Sequence, residues 1–388
     1  MIPYGRQEIT EEDIAEVEKI LRSDFLTQGP TVPRFEKTVA NYCGANYAVA
    51  VNSATSALHI ACLALDLGPG DWLWTSPNTF VASANCGRYC GADIDFVDID
   101  PQTYNMSTDA LSEKLMRAEK LGKLPKILVP VHFAGQPCDM PSIYDLSKRY
   151  GFKIIEDASH AIGASHNKIK VGSCTHSDIT VFSFHPVKII TTAEGGMALT
   201  NNKDIADKIS RLRTHGITND KNKMKQRSKE EIWNYQQIEL GFNYRMNDIQ
   251  AALGLSQMNR LDNYVSRRHK IAEYYDTKLK DLSLITPWQA PSVYSSYHLY
   301  PVLVKNSLDS KSQKQVYNEL RKSDIAVNLH YTPVHRHPYY ENLGFKKDNF
   351  PVAEKFHQEA ISIPMYATLE EEHQKYVVET LRKKVMIA

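Results

Sequence analysis

Val181-Phe182-Ser183-Phe184-His185-Pro186-Val187-Lys188 is closely followed by Thr191-Thr192-Ala193-Glu194-Gly195-Gly196. An apolar, β-branched run that ends in a serine and delivers a lysine to a Gly-Gly turn is how a sheet edge presents an amine to a ligand. Such a lysine can form a Schiff base with pyridoxal 5'-phosphate (PLP), and its plain alternative is a solvated surface lysine. Asp157 tips that balance. The strand pattern Ile154 to Glu156 ends in two adjacent carboxylates, one of which alternation turns into the sheet's own layer. A carboxylate there needs a cation or a set of donors, and a protonated pyridine nitrogen is such a cation. Taken alone, Asp157 also suits the N-cap of a helix over 158–161. Taken with Lys188, it marks the two ends of one cofactor.

Outward from this pair, strand and helix signals alternate: strands at Tyr47 to Val51, Trp72 to Thr75, Ile94 to Val97, Ile127 to His132 and Ile179 to Ser183, and a return at Met197 to Thr200. The pattern predicts an α/β fold, a mainly parallel doubly wound sheet with helices on both faces and ligands at the carboxyl ends of the strands. Upstream, Thr10 and Asp13 form a capping-box pair, opening a helix whose buried stripe is expected to be Ile14, Val17, Ile20 and Leu21. Residues 218–232, rich in lysine and arginine, read as a solvated, mobile loop. A long helix from Met246 to Lys280 leads to strands at Tyr297 to Val304, Ile325 to His330 and Ile361 to Pro364. Residues 1–255 are thus expected to form a large domain and 256–388 a smaller C-terminal α/β domain.

Composition narrows the function classes. Forty-six basic against forty-five acidic residues leave a net charge of +1, which gives no bulk electrostatic case for nucleic acid. The six cysteines show no paired metal spacing, so reduced thiols and no metal site are expected. No apolar stretch approaches the roughly 20 residues of a membrane span, and a cytoplasmic enzyme is the expectation.

Anions must then be held locally. Ala54, Thr55 and Ser56 follow the strand Tyr47 to Val51 in a turn of small residues that opens a helix, a place where backbone N–H groups and the helix dipole can cradle a phosphate. Ser and Thr also cap helices that bind nothing. No G-x-G-x-x-G and no Walker A motif occurs, which counts against nicotinamide and nucleoside triphosphates. Phe80 is placed either to lie over a flat ring or to fill the core, and His160 either to reach a cofactor oxygen or to be an ordinary paired histidine. Arg245 is a candidate for a carboxylate, since its guanidinium matches one bidentately; a surface ion pair is its other reading.

T-Q-G-P (Thr27 to Pro30), N-S-A-T-S-A-L (Asn52 to Leu58), E-D-A-S-H-A-I-G-A (Glu156 to Ala164), the Phe182 to Gly196 stretch and G-F-N-Y-R-M-N-D-I-Q-A-A-L-G (Gly241 to Gly254), in this order, resemble the DegT/DnrJ group of sugar aminotransferases. The resemblance implies a PLP-dependent transferase of fold type I. Members with histidine in place of the lysine act as dehydratases, so Lys188 implies transamination. By motif, Lys188 would carry the cofactor, Asp157 would hold the pyridinium, Ser183 and Thr55 the phosphate, and Asn243 would reach that phosphate from the second subunit of a homodimer. Tyr4, Leu26, Thr27, Gln28, Gly29, Ser56, His330, Tyr331, Thr332 and Pro333 match positions lining the substrate site. Within the group the motifs are most similar to the branch of pseudaminic acid biosynthesis, which implies a UDP-linked 4-keto-6-deoxy-N-acetylhexosamine as acceptor and glutamate as donor. The match thins in the C-terminal third, and a C3 or C4 aminotransferase of another nucleotide-linked keto-deoxysugar, such as a dTDP-sugar, is the alternative. A PLP-binding sensor without catalysis is the rival from another class.

Overall fold

The computed structural model describes residues 1–226, 235–305 and 311–385. Seven strands form the main sheet: β1 Tyr47–Val51, β2 Trp72–Thr75, β3 Asp93–Phe96, β4 Ile127–Val129, β5 Lys153–Asp157, β6 Ile179–Ser183 and β7 Gly196–Thr200. Their spatial order is β1-β7-β6-β5-β4-β2-β3. All pairs are parallel except the two that β7 makes, with β6 and with β1. Every residue of β6 and β7 is buried, as strands covered on both faces require. The antiparallel β7 decides where Lys188 sits. A parallel continuation would carry the chain to the far edge; instead the 184–195 loop leaves the carboxyl end of β6 and returns at the same edge, closed by Phe184 N–H to the Gly195 carbonyl (2.9 Å) and Thr192 N–H to the Phe184 carbonyl (3.0 Å).

The capping box at Thr10 is present in part: Asp13 accepts from Thr10 N–H at 3.0 Å, and helix α1 runs over Glu11–Leu21. The expected stripe is wrong. Ile14 and Leu21 are 50% and 58% exposed, while Asp13 is buried. The helix docks by charge rather than by an apolar face, because Arg260 bonds both Asp13 oxygens (2.7 and 2.6 Å) and Gln257 donates to the second (2.7 Å). Burial opposes the ionised carboxylate, but Arg260 and the neighbouring donors outweigh it and hold Asp13 below the usual carboxylate range.

The expected long helix is two, Asp248–Met258 and Leu261–Leu279, parted where Arg260 turns to Asp13. A three-stranded sheet, Leu284–Ile285 with Tyr300–Val304 and Ala360–Ile363, supports the C-terminal unit. The first of the expected C-terminal strands starts three residues late, because Tyr297 has φ +45° and the backbone of 296–299 bonds to Ala134 and Gly135. The strand expected at Ile325 to His330 is absent; that segment makes single bridges from Ile325 to Ile2 and from Asn328 to Ser362, and the Leu329 N–H turns to the Asn328 side chain instead of a ladder. The bridge at Ile2 places the first residues against the core formed by Ile271, Tyr300, Val327 and Leu381. In the 218–232 loop, Ile217–Thr218 pairs with Gln236–Gln237, and residues 227–232 lie outside the described residues.

Candidate active site

The parallel strands end at one edge of the sheet, and the cavity of ≈ 440 Å³ lies there, lined from the ends of β1, β2, β4, β5 and β6. Asp157 ends β5, and Ser183 ends β6. Lys188 reaches the cavity from the loop that returns to β7. Its amine is held down to about 8, because burial disfavours the charged form more than the nearby Asp157 carboxylate supports it. Both Asp157 oxygens are aimed: Ser83 donates to one (2.6 Å) and Ser159 N–H to the other (3.1 Å), with Thr79 bonded to Ser83 in turn (2.8 Å).

At the opposite end, helix α3 (Ala54–Ala64) opens with Ser53 as N-cap, whose Oγ accepts from Ser56 N–H at 3.1 Å. Ser53, Ala54, Thr55 and Ser183 all line the cavity. Ser56 does not; its hydroxyl is spent inside the turn on Asn52 (2.7 Å) and Ser53 (3.0 Å). Gly196 is a requirement of this turn, since a Cβ there would stand 2.5 Å from the Ala54 nitrogen. A free helix N-terminus, a lysine with a lowered pKa and a buried, doubly oriented carboxylate, set around one cavity, fit the phosphate, aldehyde and pyridine nitrogen of PLP.

The walls are aromatic and imidazole. Phe80 is 59% exposed, which removes the core reading, and its ring stands 6.3 Å from that of Tyr331. His160 Nδ1 accepts from Ala134 N–H at 3.3 Å, so its proton is on Nε2, which lies 3.1 Å from the Tyr331 hydroxyl oxygen. Burial and the nearby Lys188 keep this imidazole neutral, and burial near Asp157 raises the Tyr331 phenol above its ordinary range. Tyr331, rather than His160 itself, therefore offers the free hydroxyl. Tyr4 packs against His330 (ring centroids 5.4 Å), whose Nδ1 bonds Ser362 (2.9 Å).

The remaining expected residues gather elsewhere. Gln28 and Arg245 line an open depression together with Arg211, Lys223 and Tyr235. Leu26, Thr27 and Asn243 are exposed, and Asn243 bridges to Thr214. The Leu26–Gly29 loop is held by Asp248, which is fully buried and accepts from Gly29 N–H (2.8 Å), Thr31 N–H (2.8 Å) and Val32 N–H (3.3 Å), and so caps helix α2 (Thr31–Cys43) from outside it. Thr332 is exposed and Pro333 buried, and neither lines the cavity. Sequence reading missed Ser83, Asn328 and His298, which all stand in or directly behind the cavity walls; no local spacing marks them.

The model of the DegT/DnrJ/EryC1/StrS aminotransferase family matches residues 7–382. The chain is 35% identical over 385 residues to the UDP-4-amino-4,6-dideoxy-N-acetyl-beta-L-altrosamine transaminase of Campylobacter jejuni, covering 98% of this chain and 96% of that one. Among solved structures it is similar to the putative sugar aminotransferase Spr1654 of Streptococcus pneumoniae in its PMP form (TM-score 0.89, 30% identity, 99% and 98% covered). It is likewise similar to Helicobacter pylori PseC, an aminotransferase involved in the biosynthesis of pseudoaminic acid (TM-score 0.88, 30% identity, 99% and 98% covered). With that match over nearly its whole length and with Lys188 and Asp157 set in one cavity, the chain belongs to the DegT/DnrJ/EryC1/StrS aminotransferase family and is a PLP-dependent sugar aminotransferase.

Proposed function

We propose that the enzyme transfers the amino group of glutamate to C4 of a UDP-linked 4-keto-6-deoxy-N-acetylhexosamine, in the cytoplasm and as a homodimer, with residues 1–255 and 256–388 as its large and small domains. The observation that carries the chemistry is Lys188 facing Asp157 across the cavity. The likeness to the Campylobacter enzyme and to PseC supports the acceptor.

PLP, when bound, supplies the electron sink that makes the α-proton of an amino acid removable. Asp157, aimed by Ser83 and Ser159, holds the proton on the ring nitrogen. Ser53–Thr55 and Ser183 hold the phosphate. Lys188 moves the proton: with a pKa of about 8 roughly a tenth of it is neutral amine at pH 7, against about one part in three thousand for a lysine at its ordinary value. The same amine serves the donor and, in reverse, the sugar. Tyr4 and Tyr331 present their hydroxyls to the acceptor, and His330, bonded at both nitrogens to Ser362 and Asn328, packs against Tyr4 and positions it.

The dimer reading rests on the division of the expected residues between two faces. Asn243, Arg245 and the Leu26–Gly29 loop stand apart from their own chain's cavity and are free to complete that of a partner. The test is a panel of UDP- and dTDP-linked 4-keto and 3-keto sugars, offered to enzyme first converted by glutamate to its amino form. Loss of the amino-form absorbance is expected with the UDP-linked 4-keto-N-acetyl sugar, and preference for a 3-keto or dTDP-linked sugar overturns the assignment.

A further inference from the structure

Four imidazoles line the cavity; His185 is exposed at its rim, and two of the three buried ones are committed. His160 is held by Ala134 N–H and the Tyr331 hydroxyl. His330 is held by Ser362 (2.9 Å) and the Asn328 side chain (3.3 Å). His298 is different: it is 4% exposed, its ring lies 4.3 Å from that of His160, and its Nδ1 has no hydrogen-bond partner among the described residues. Nδ1 is closed off from the cavity, whereas Nε2 has no hydrogen-bond partner among the described residues and is the ring nitrogen that a molecule in the cavity can meet.

Its place is tightly built. Gly135, at φ +101°, lets the backbone approach, since a Cβ there would lie 2.9 Å from the backbone nitrogen of His298 and 2.5 Å from Ser296 Oγ. Behind it Arg268, 2% exposed, donates from Nη1 to the carbonyls of Tyr297 (3.0 Å), His298 (3.2 Å) and Met365 (3.0 Å), and no carboxylate pairs with it among the described residues. Its Nε has no partner either. Lys188 and Arg268 thus bring two cations to this corner, answered by Asp157 in the cavity and by the half-buried Glu8, which lines a second pocket with both of them, while Glu194 is exposed. An unused donor beside a guanidinium that no carboxylate pairs with among the described residues suits an anion.

We infer that His298 receives the α-carboxylate of the amino donor, with Arg268 supplying charge from behind it. The inference rests on the aminotransferase reading and places the donor carboxylate on residues of the chain that carries Lys188, where Arg245 would have to come from a partner. His298 is neutral in the free enzyme, because burial and the neighbouring His160, Lys188 and Arg268 all disfavour its cation, so it acts as a hydrogen-bond donor.

The test uses the holoenzyme and its two half-reactions separately. His298→Ala should weaken the apparent affinity for glutamate about tenfold or more, weaken calorimetric binding of unreactive glutarate alike, and erase the preference for glutamate over 4-aminobutyrate, which lacks the α-carboxylate. Amination of the keto-sugar by the preformed amino enzyme should stay within about twofold. His298→Gln, whose amide can stand near the Nε2 position, should recover part of the loss and guards against misfolding. Equal loss in both half-reactions, loss in the sugar half alone, or no loss overturns the inference. A wild-type enzyme that glutamate does not convert, but another α-amino acid does, overturns the donor and leaves the His298 test to be run with that amino acid.

Discussion

The cavity at Lys188 and the depression at Arg245 are both polar, yet they are built on opposite terms. Around Lys188 nearly every polar group is buried and bonded: Asp157 by two donors, His160 and His330 at both nitrogens, Ser56 inside its own turn. At Arg245 the depression is open and its partners Gln28 and Lys223 are exposed. Enclosure lets the first region shift a lysine to about 8, which is chemistry. Openness leaves the second with charge and shape but no reacting group, which is the character of half a site. Leu21, Phe25 and Leu26, in the segment that leads to Gln28, are 58%, 52% and 48% exposed and add apolar surface that a partner would cover.

The sharpest way to break this contrast is Lys188→Ala. Removal of the amine that moves the proton should lower both half-reactions by about three orders of magnitude or more. Borohydride treatment of the wild type should fix the cofactor on the peptide carrying Lys188; label on any other lysine sinks the assignment. If the open face completes a partner's cavity, Asn243→Ala should also impair activity, and mixing it with Lys188→Ala should restore some. Random pairing makes half the dimers mixed, each with one intact site of two, so about a quarter of wild-type activity is expected. Mixed dimers that form and stay inactive would place both residues in one subunit's site.

A smaller effect probes what holds the open face. Asp248→Ala strips the acceptor from Gly29, Thr31 and Val32 N–H at once and should cost about 2–4 kcal/mol in chemical denaturation. A loss below about 0.5 kcal/mol would mean that water replaces the carboxylate at all three.

Asp248 also shows where sequence reading stops. Asp157 was legible because it ends an apolar strand, and Lys188 and Thr55 because each closely follows one, since strand ends share an edge in a doubly wound sheet; Ser183 came through the resemblance. Tyr4 was legible through the family resemblance alone, while the position of Phe80 left a ring contact and a core place open until its exposure removed the second. Asp248 reads locally as the first residue of its own helix; its capping of α2 joins positions more than two hundred residues apart. His298 and Ser83 are invisible for the same reason: Gly135 and Asp157 make them important, and neither is near in sequence. The misread stripe of α1 failed because amphipathic periodicity names an apolar face without saying whether a neighbouring chain segment or a second subunit covers it.

The last test asks whether enclosure itself is paid for in stability, and it uses enzyme freed of cofactor. Below pH 8 Lys188 is charged in both folded and unfolded chains, so the folded chain bears the cost of burying the cation. Between about 8 and the ordinary 10.5 the folded chain has released its proton while the unfolded chain still holds one, so stability rises with pH across that window. Above it the cost is gone. Lys188→Met, which removes the charge and keeps the bulk, should therefore be more stable than the wild type by about 1–3 kcal/mol at pH 7, with the advantage fading between pH 8 and 10.5. Arg245→Met on the open face should show no such pH-dependent gain. A Lys188→Met advantage that persists above pH 10.5 would mean packing rather than charge, and no advantage at pH 7 would mean that water in the cavity already solvates the amine, leaving its lowered pKa without the burial that explains it.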